Sequence, residues 1–103
     1  MRQYSHQTAI ADGTGEIVTG VGAHEGNMYY WNSGLSGSAL IEIIHNPDPA
    51  GMGPWILAQT ITALHLASGM VVLPLPIGYI ATRATIYSGG GNTGRVSTFF
   101  ELR

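Results

Sequence analysis

The sequence has no cysteine and no lysine, and charge is scarce throughout its 103 residues. The absence of cysteine excludes a disulfide framework, a thiol nucleophile and a cysteine-ligated zinc site. Charged residues make up 10% of the chain, against about 25% in an average globular protein. Two explanations are open. Either a surface of Ser, Thr, Asn and Gly is sufficient for solubility, or other subunits cover much of the surface.

The few charges and the short apolar runs also limit the possible partners. The cations are four scattered arginines and the net charge is −2, so the basic stripe of a nucleic-acid-binding protein is absent. The longest apolar run, "MVVLPLPIGYI", is interrupted by two prolines and is too short to span a bilayer. No early basic segment precedes an apolar stretch, as it would in a signal peptide. We therefore expect neither a nucleic-acid nor a membrane partner.

What the sequence does contain is a series of short β-prone runs separated by glycine and proline. Residues 1–103 are expected to form one domain, an all-β antiparallel two-sheet sandwich or jelly roll of about eight short strands. Residues 1–15 are expected to be an N-terminal arm or an edge strand. The segment "ILAQTITALHLASG" also fits a helical period, but its β-branched residues favour a strand. The predicted strands are Ser5–Ala11, Glu16–Val21, Met28–Asn32, Ala39–His45, Trp55–Thr62, Met70–Leu75, Tyr79–Tyr87 and Val96–Leu102.

One pair of charged residues lies in strands that are otherwise apolar. Glu42 interrupts "ALIEIIH", a run that is apolar on both faces and is therefore expected to be central in its sheet. A buried carboxylate needs a partner, and Arg83 in "YIATRATIY" is the natural candidate. We predict that the two residues form a structural ion pair across strands.

No motif in the sequence predicts catalysis. The histidines (His6, His24, His45 and His65) are never four residues apart, so no helical metal-binding pair exists. "GLSGS" places Ser38 where a nucleophile elbow requires glycine, and no helix follows. "GGGNTGR" lacks the Lys-Ser/Thr ending of a phosphate-binding loop. Asp48, between two prolines in "NPDPAGMGP", indicates a rigid turn. We expect no enzyme activity, no metal and no cofactor.

Aromatic residues and methionine supply the candidates for subunit contacts, since both are enriched at interfaces. For the cluster "MYYW", core packing and a subunit contact are both open interpretations. In the last strand, two adjacent phenylalanines point in opposite directions. Trp55 is expected to begin its strand as a large anchor. The interface candidates are Met28, Tyr29, Tyr30, Trp31, Trp55, Phe99 and Phe100.

Five segments carry a resemblance to a known class of proteins. In order they are "GSALIEI", "HNPDPAGMGPW", "WILAQTITAL", "LPIGYIATRATIYSGGGNTGRV" and "VSTFFEL". Together they resemble a β-sandwich module of tailed-bacteriophage virion proteins, with its Trp, its Arg-Ala pair and its Gly-rich final hairpin. The proline-rich loop is longer than the short turn usual in that module. The resemblance implies no catalytic residues and a role in capsid decoration (cement) proteins, head fibres or tail parts, commonly as trimers.

We therefore expect a virion structural protein, foremost a capsid decoration protein. It would be made in the host cytoplasm and would lie on the capsid surface as a homotrimer, in contact with the major capsid protein or another virion protein. The alternative is a carbohydrate-binding or receptor-binding module of a tail or fibre. Its aromatic platforms would come from Tyr29, Tyr30, Trp31 and Trp55.

Overall fold

A computed structural model describes residues 2–23, 25–34, 37–64, 66–73, 77–89 and 92–103, which form β-strands and connecting segments. None of these residues forms a helix of the length and apolar character needed to cross a membrane. The strands are β1 (Arg2–Ala9), β2 (Gly13–Thr14), β3 (Val18–Ala23), β4 (Gly26–Asn32), β5 (Ala39–Asn46), β6 (Ile56–Ala63), β7 (Ser68–Val72), β8 (Ile77–Ile86), β9 (Ser88–Gly89), β10 (Asn92–Thr93) and β11 (Val96–Leu102).

The strands build two antiparallel sheets that pack face to face. Sheet A has the order β1-β11-β4-β7, and sheet B has the order β2-β8-β5-β6 with β3 also paired to β8. A separate two-stranded ladder joins β9 and β10. The predicted antiparallel β-sandwich is thus confirmed, and β1 takes the edge-strand position in sheet A.

All eight predicted strands are present; the last, Val96–Leu102, has the predicted bounds, and at least one end of each of the others is shifted. "ILAQTITA" is strand β6, so the helical alternative is wrong there. The strand predicted over Met70–Leu75 ends at Val72, and residues 74–76 lie outside the described residues. The additional strands β2, β9 and β10 have two residues each and lie in segments predicted as turns.

Side-chain alternation explains which strands are central. In β5, Ala39, Ile41 and Ile43 are buried and face sheet A, while the residues between them are half-buried on the outward face. β5 pairs with β8 on one side and with β6 on the other, which is the central position expected from its apolar faces.

The core lies between the two inward faces and is largely aliphatic. Its buried members include Val18, Met28, Ile41, Ile43, Val96 and Phe100. Tyr30 is partly buried against this core. A Cβ atom added to Gly69 would lie 2.5 Å from the Tyr30 hydroxyl oxygen, so the ring crosses β7 where that strand has no side chain. Glycine at this position therefore allows the tyrosine to pack inward.

A polar network within the sandwich connects the edge strand β1 to both sheets. The buried His6 ring donates through Nε2 to the Thr82 carbonyl oxygen at 3.1 Å, because a carbonyl can only accept. The hydroxyls of Thr82 and Thr98 lie 2.7 Å apart, and Thr98 Oγ1 accepts from the His6 backbone N–H. Ser5 Oγ accepts from the Thr82 backbone N–H. Each polar side chain thus has a partner, as burial requires.

The proline-rich loop between β5 and β6 is an ordered turn. The Asp48 carboxylate accepts backbone N–H bonds from Ala50 and Met52, both at 3.0 Å. Asn46 donates its side-chain amide to the Gly53 carbonyl at 2.9 Å and so closes the base of the loop. The carboxylate therefore serves the loop backbone, in keeping with the predicted rigid turn.

Candidate contact surface

The outward face of sheet A carries a row of large side chains that crosses all four strands. The register places Tyr4 opposite Phe99, Phe99 opposite Tyr29, and Tyr29 opposite Met70. Directly paired residues of antiparallel strands project to the same side, so the row is continuous from β1 to β7. Trp31 lies on the same face, two residues beyond Tyr29. We call these five residues the aromatic face.

Phe99 is at the centre of the aromatic face. Its ring stacks on Tyr29 with centroids 4.8 Å apart and planes inclined by 14°. The Tyr4 ring lies 5.5 Å away, and the Trp31 ring meets it edge-on at 6.0 Å. Each such pair contributes about 0.5–1.5 kcal/mol beyond the burial of its area. The four rings therefore form one continuous surface of rings in mutual contact.

The aromatic face is only partly covered by its own chain. Tyr4 is 45% exposed and Met70 is 52% exposed, while Tyr29, Trp31 and Phe99 are half-buried. Charged side chains lie at one end of these strands, where Arg103 contacts Glu25 at 3.5 Å and Glu101 at 3.8 Å. An exposed apolar patch with a polar rim is typical of a surface that meets another molecule.

The prediction of an interface position is wrong for two residues. Met28 and Phe100 are 0% exposed and belong to the core, because β4 and β11 alternate and these positions face sheet B. Tyr30 also packs toward the core. Tyr29, Trp31 and Phe99 lie on the outward face. Trp55, predicted to begin its strand, lies immediately before β6 and is 41% exposed.

Sequence reasoning missed Tyr4 and Met70, which complete the row at its two ends. Tyr4 precedes the predicted first strand, and Met70 lies in an edge strand, β7, whose residues are exposed or half-buried. The signal that could have placed Tyr4 and Met70 on an outward face was the alternation of each residue with its neighbours along the strand. What brings these residues beside Phe99 and Tyr29 is the strand order, which alternation alone does not encode.

The structure brings Glu42 and Arg83 together on the outward face of sheet B. The two residues are directly opposite in the β5–β8 ladder, and Arg83 Nε donates to Glu42 Oε1 at 3.0 Å. This hydrogen bond lowers the pKa of the Glu42 carboxyl and raises the pKa of the Arg83 guanidinium. The side chains are 20% and 48% exposed, respectively, so the expectation of a buried carboxylate is wrong. The pair is partly open to solvent because this face carries no covering layer.

A cleft of about 320 Å³ lies beside this ion pair. Ala81, buried in β8, and the half-buried Ile44 in β5 provide apolar surface, and Trp55 and Arg83 line the cleft as well. Thr14 is the last residue of β2, and Ile17 lies in the segment that joins β2 to β3. These two residues complete the lining. The cleft thus combines one partly exposed indole, an apolar base and a guanidinium that is paired with Glu42.

The described residues offer no metal centre, since no three or more His, Asp or Glu side chains among them are grouped to hold an ion. Burial lowers the pKa of His6, and its hydrogen bond to the Thr82 carbonyl opposes that effect in part. His45 is the second-last residue of β5 and pairs with Ile56 and Ile80. His24 and His65, and parts of "GLSGS" and "GGGNTGR", lie outside the described residues.

A comparison with known proteins finds no family model, no curated protein and no solved structure that matches this chain. The candidate surfaces are therefore interpreted from their own geometry and chemistry.

Proposed function

We propose that this protein is a structural component of a tailed-bacteriophage virion, in the first place a capsid decoration protein that assembles as a homotrimer on the shell. It would act by contact alone, with apolar and hydrogen-bonded contacts to the major capsid protein or another virion protein. Many weak contacts made together give lasting attachment without any single strong site. Its place of action would be the capsid surface, after synthesis in the host cytoplasm.

The observation that carries the proposal is the aromatic face. A set of four contacting rings and a methionine, uncharged and partly exposed, has the composition of the central part of a protein–protein interface. The low charge of the whole chain supports the same conclusion, because little repulsion opposes association. The assignment to a virion depends on the sequence resemblance described above.

The oligomeric state of a matched pair of variants tests this proposal. Met70→Lys places a charge on the aromatic face at an edge strand that is already half-exposed, so the fold should tolerate it. Thr62→Lys places the same charge on the outward face of sheet B, at another exposed edge position. Size-exclusion chromatography with light scattering should give three times the chain mass of 10.9 kDa for the parent and for Thr62→Lys, and a smaller mass for Met70→Lys.

Binding to the shell is measured separately. Co-sedimentation with empty phage shells that lack this protein should occur with the parent and Thr62→Lys, and should be weakened at least several-fold in Met70→Lys. A monomer in all three cases, with no co-sedimentation, would contradict the proposal. A trimer that survives in Met70→Lys would move the subunit contact away from the aromatic face.

A further inference from the structure

The cleft beside Glu42 and Arg83 plays no part in the proposed assembly. It lies on the outward face of sheet B, whereas the aromatic face lies on the outward face of sheet A. Its volume of about 320 Å³ is at the lower end of the range for small-molecule sites. The cleft can therefore hold one or two small rings rather than a protein segment.

One wall of the cleft is suited to a flat apolar surface. Trp55 is 41% exposed although it is the largest apolar side chain in its segment, and it lines the cleft together with Ile44 and Ala81. Indole rings combine a broad apolar face with modest entropy cost when they meet a ligand. A ligand with an apolar face would cover this indole and the two aliphatic side chains together.

The polar side of the cleft offers donors and acceptors at one place. The bond to Glu42 uses Arg83 Nε, and a guanidinium carries four further N–H donors on its two terminal nitrogens. Arg83 is 48% exposed, so these donors can reach a ligand in the cleft. Glu42 does not line the cleft, but its hydrogen bond to Arg83 places a 20% exposed acceptor next to these donors. Thr14, in the lining, adds a hydroxyl that can donate or accept.

The combined charge of this polar side selects the chemistry of the ligand. Arg83 and Glu42 are 3.0 Å apart and together carry no net charge, so an anion attracted by one is repelled by the other. Hydroxyl groups both donate and accept, and neighbouring hydroxyls match a guanidinium and a carboxylate side by side. A molecule with hydroxyls along one edge and an apolar ring face fits both sides of the cleft.

We propose that this cleft binds a neutral saccharide, with one sugar ring against Trp55 and its hydroxyls on the Arg83–Glu42 pair. The proposal stands apart from assembly through the aromatic face, so either can fail while the other holds.

The two tryptophans, Trp31 on the aromatic face and Trp55 in the cleft, allow a test with an internal control. Trp31→Phe keeps only the indole in the cleft, and Trp55→Phe keeps only the indole on the aromatic face. Each variant is titrated with lactose, maltose and N,N′-diacetylchitobiose while tryptophan fluorescence is recorded. We expect a saturable change in Trp31→Phe with at least one disaccharide, with a dissociation constant of about 1 mM, as suits a ligand of this size. No change is expected in Trp55→Phe.

A second variant separates binding from a loss of fold. Arg83→Met keeps the stem of the side chain, which lies at an exposed position. It should weaken sugar binding about ten-fold in calorimetry while lowering the urea midpoint only slightly, since the pair it breaks is open to solvent. The acidic sugar 3′-sialyllactose should bind more weakly than lactose. The proposal is overturned if no disaccharide changes Trp55 fluorescence up to about 100 mM, a concentration that saturates even a weak site. It is also overturned if both tryptophans respond equally or if the acidic sugar binds more tightly.

Discussion

The two sheets have similar inward faces and very different outward faces. Inward, both supply aliphatic side chains to one core, such as Val96 from sheet A and Ile41 from sheet B. Outward, sheet A carries the stacked rings around Phe99, whereas sheet B carries the Glu42–Arg83 pair among threonines and aliphatic residues. Among the residues that the structure describes, only the outward face of sheet A is dominated by aromatic side chains in contact with one another.

This contrast separates what folds the chain from what the chain can present to partners. The inward faces are under the same packing requirement, so they converge on the same residue types. An outward face has no such requirement, and an ordinary one mixes polar residues with isolated apolar ones, as sheet B does. The rings on sheet A exceed what folding needs, and for that reason they carry the assembly proposal.

The largest expected effect tests the difference between the inward and outward positions within one strand. Phe100→Ala removes a completely buried ring and should lower the free energy of unfolding by about 3–5 kcal/mol. Phe99→Ala removes a half-buried ring from the aromatic face and should cost clearly less, because part of that ring is already in solvent. Urea unfolding monitored by circular dichroism measures both. Equal losses would mean that the two faces of β11 are not distinguished by burial.

An intermediate effect concerns His6, which connects β1 to both sheets. The residue is 8% exposed, and burial holds the pKa of its ring below the ordinary value of 6.5. The unfolded chain therefore binds a proton more readily, and stability is lost as the pH falls through 6.5 toward the lower folded pKa. The slope from this group is at most about 1.4 kcal/mol per pH unit.

The measurement for His6 is the urea midpoint between pH 8 and pH 5, in the parent and in His6→Gln. Glutamine can still donate to the Thr82 carbonyl but does not titrate in this range. We expect the parent to lose stability toward acid more steeply than the variant. Identical slopes would show that His6 takes up its proton as easily in the folded chain as in the unfolded one.

The smallest expected effect concerns the outward face of sheet B. The hydrogen bond to Arg83 lowers the pKa of Glu42, so its contribution to stability is present above the unfolded carboxyl pKa and is lost as the pH falls through the folded value. The partners are solvent-accessible, so Glu42→Gln should lower the urea midpoint at pH 7 only slightly, and added salt should shrink the difference. A large loss that salt does not reduce would show a pair shielded from solvent, contrary to its exposure.

Sequence patterns predicted the strands well because alternation and turn residues are local signals. They also paired Glu42 with Arg83, since two charges in apolar strands have few other partners. The same patterns did not assign Met28 and Phe100 to the core. Alternation shows which residues share a face, but when both faces of a strand are apolar it does not show which face is inward. That choice depends on strand order and register, which arise from contacts between distant parts of the chain.

The position of β11 has a consequence for the order in which the sandwich can form. β11 lies between β1 and β4, so it is the strand that attaches the edge strand β1 to the rest of sheet A. Every strand of sheet B precedes residue 87, whereas β11 begins at Val96. During synthesis, sheet B can assemble while β1 still lacks its neighbour. The rings of Tyr4 and Tyr29 can be joined through Phe99 only after β11 is inserted. The ribosome therefore delivers the strand that completes the aromatic face after all the strands of sheet B.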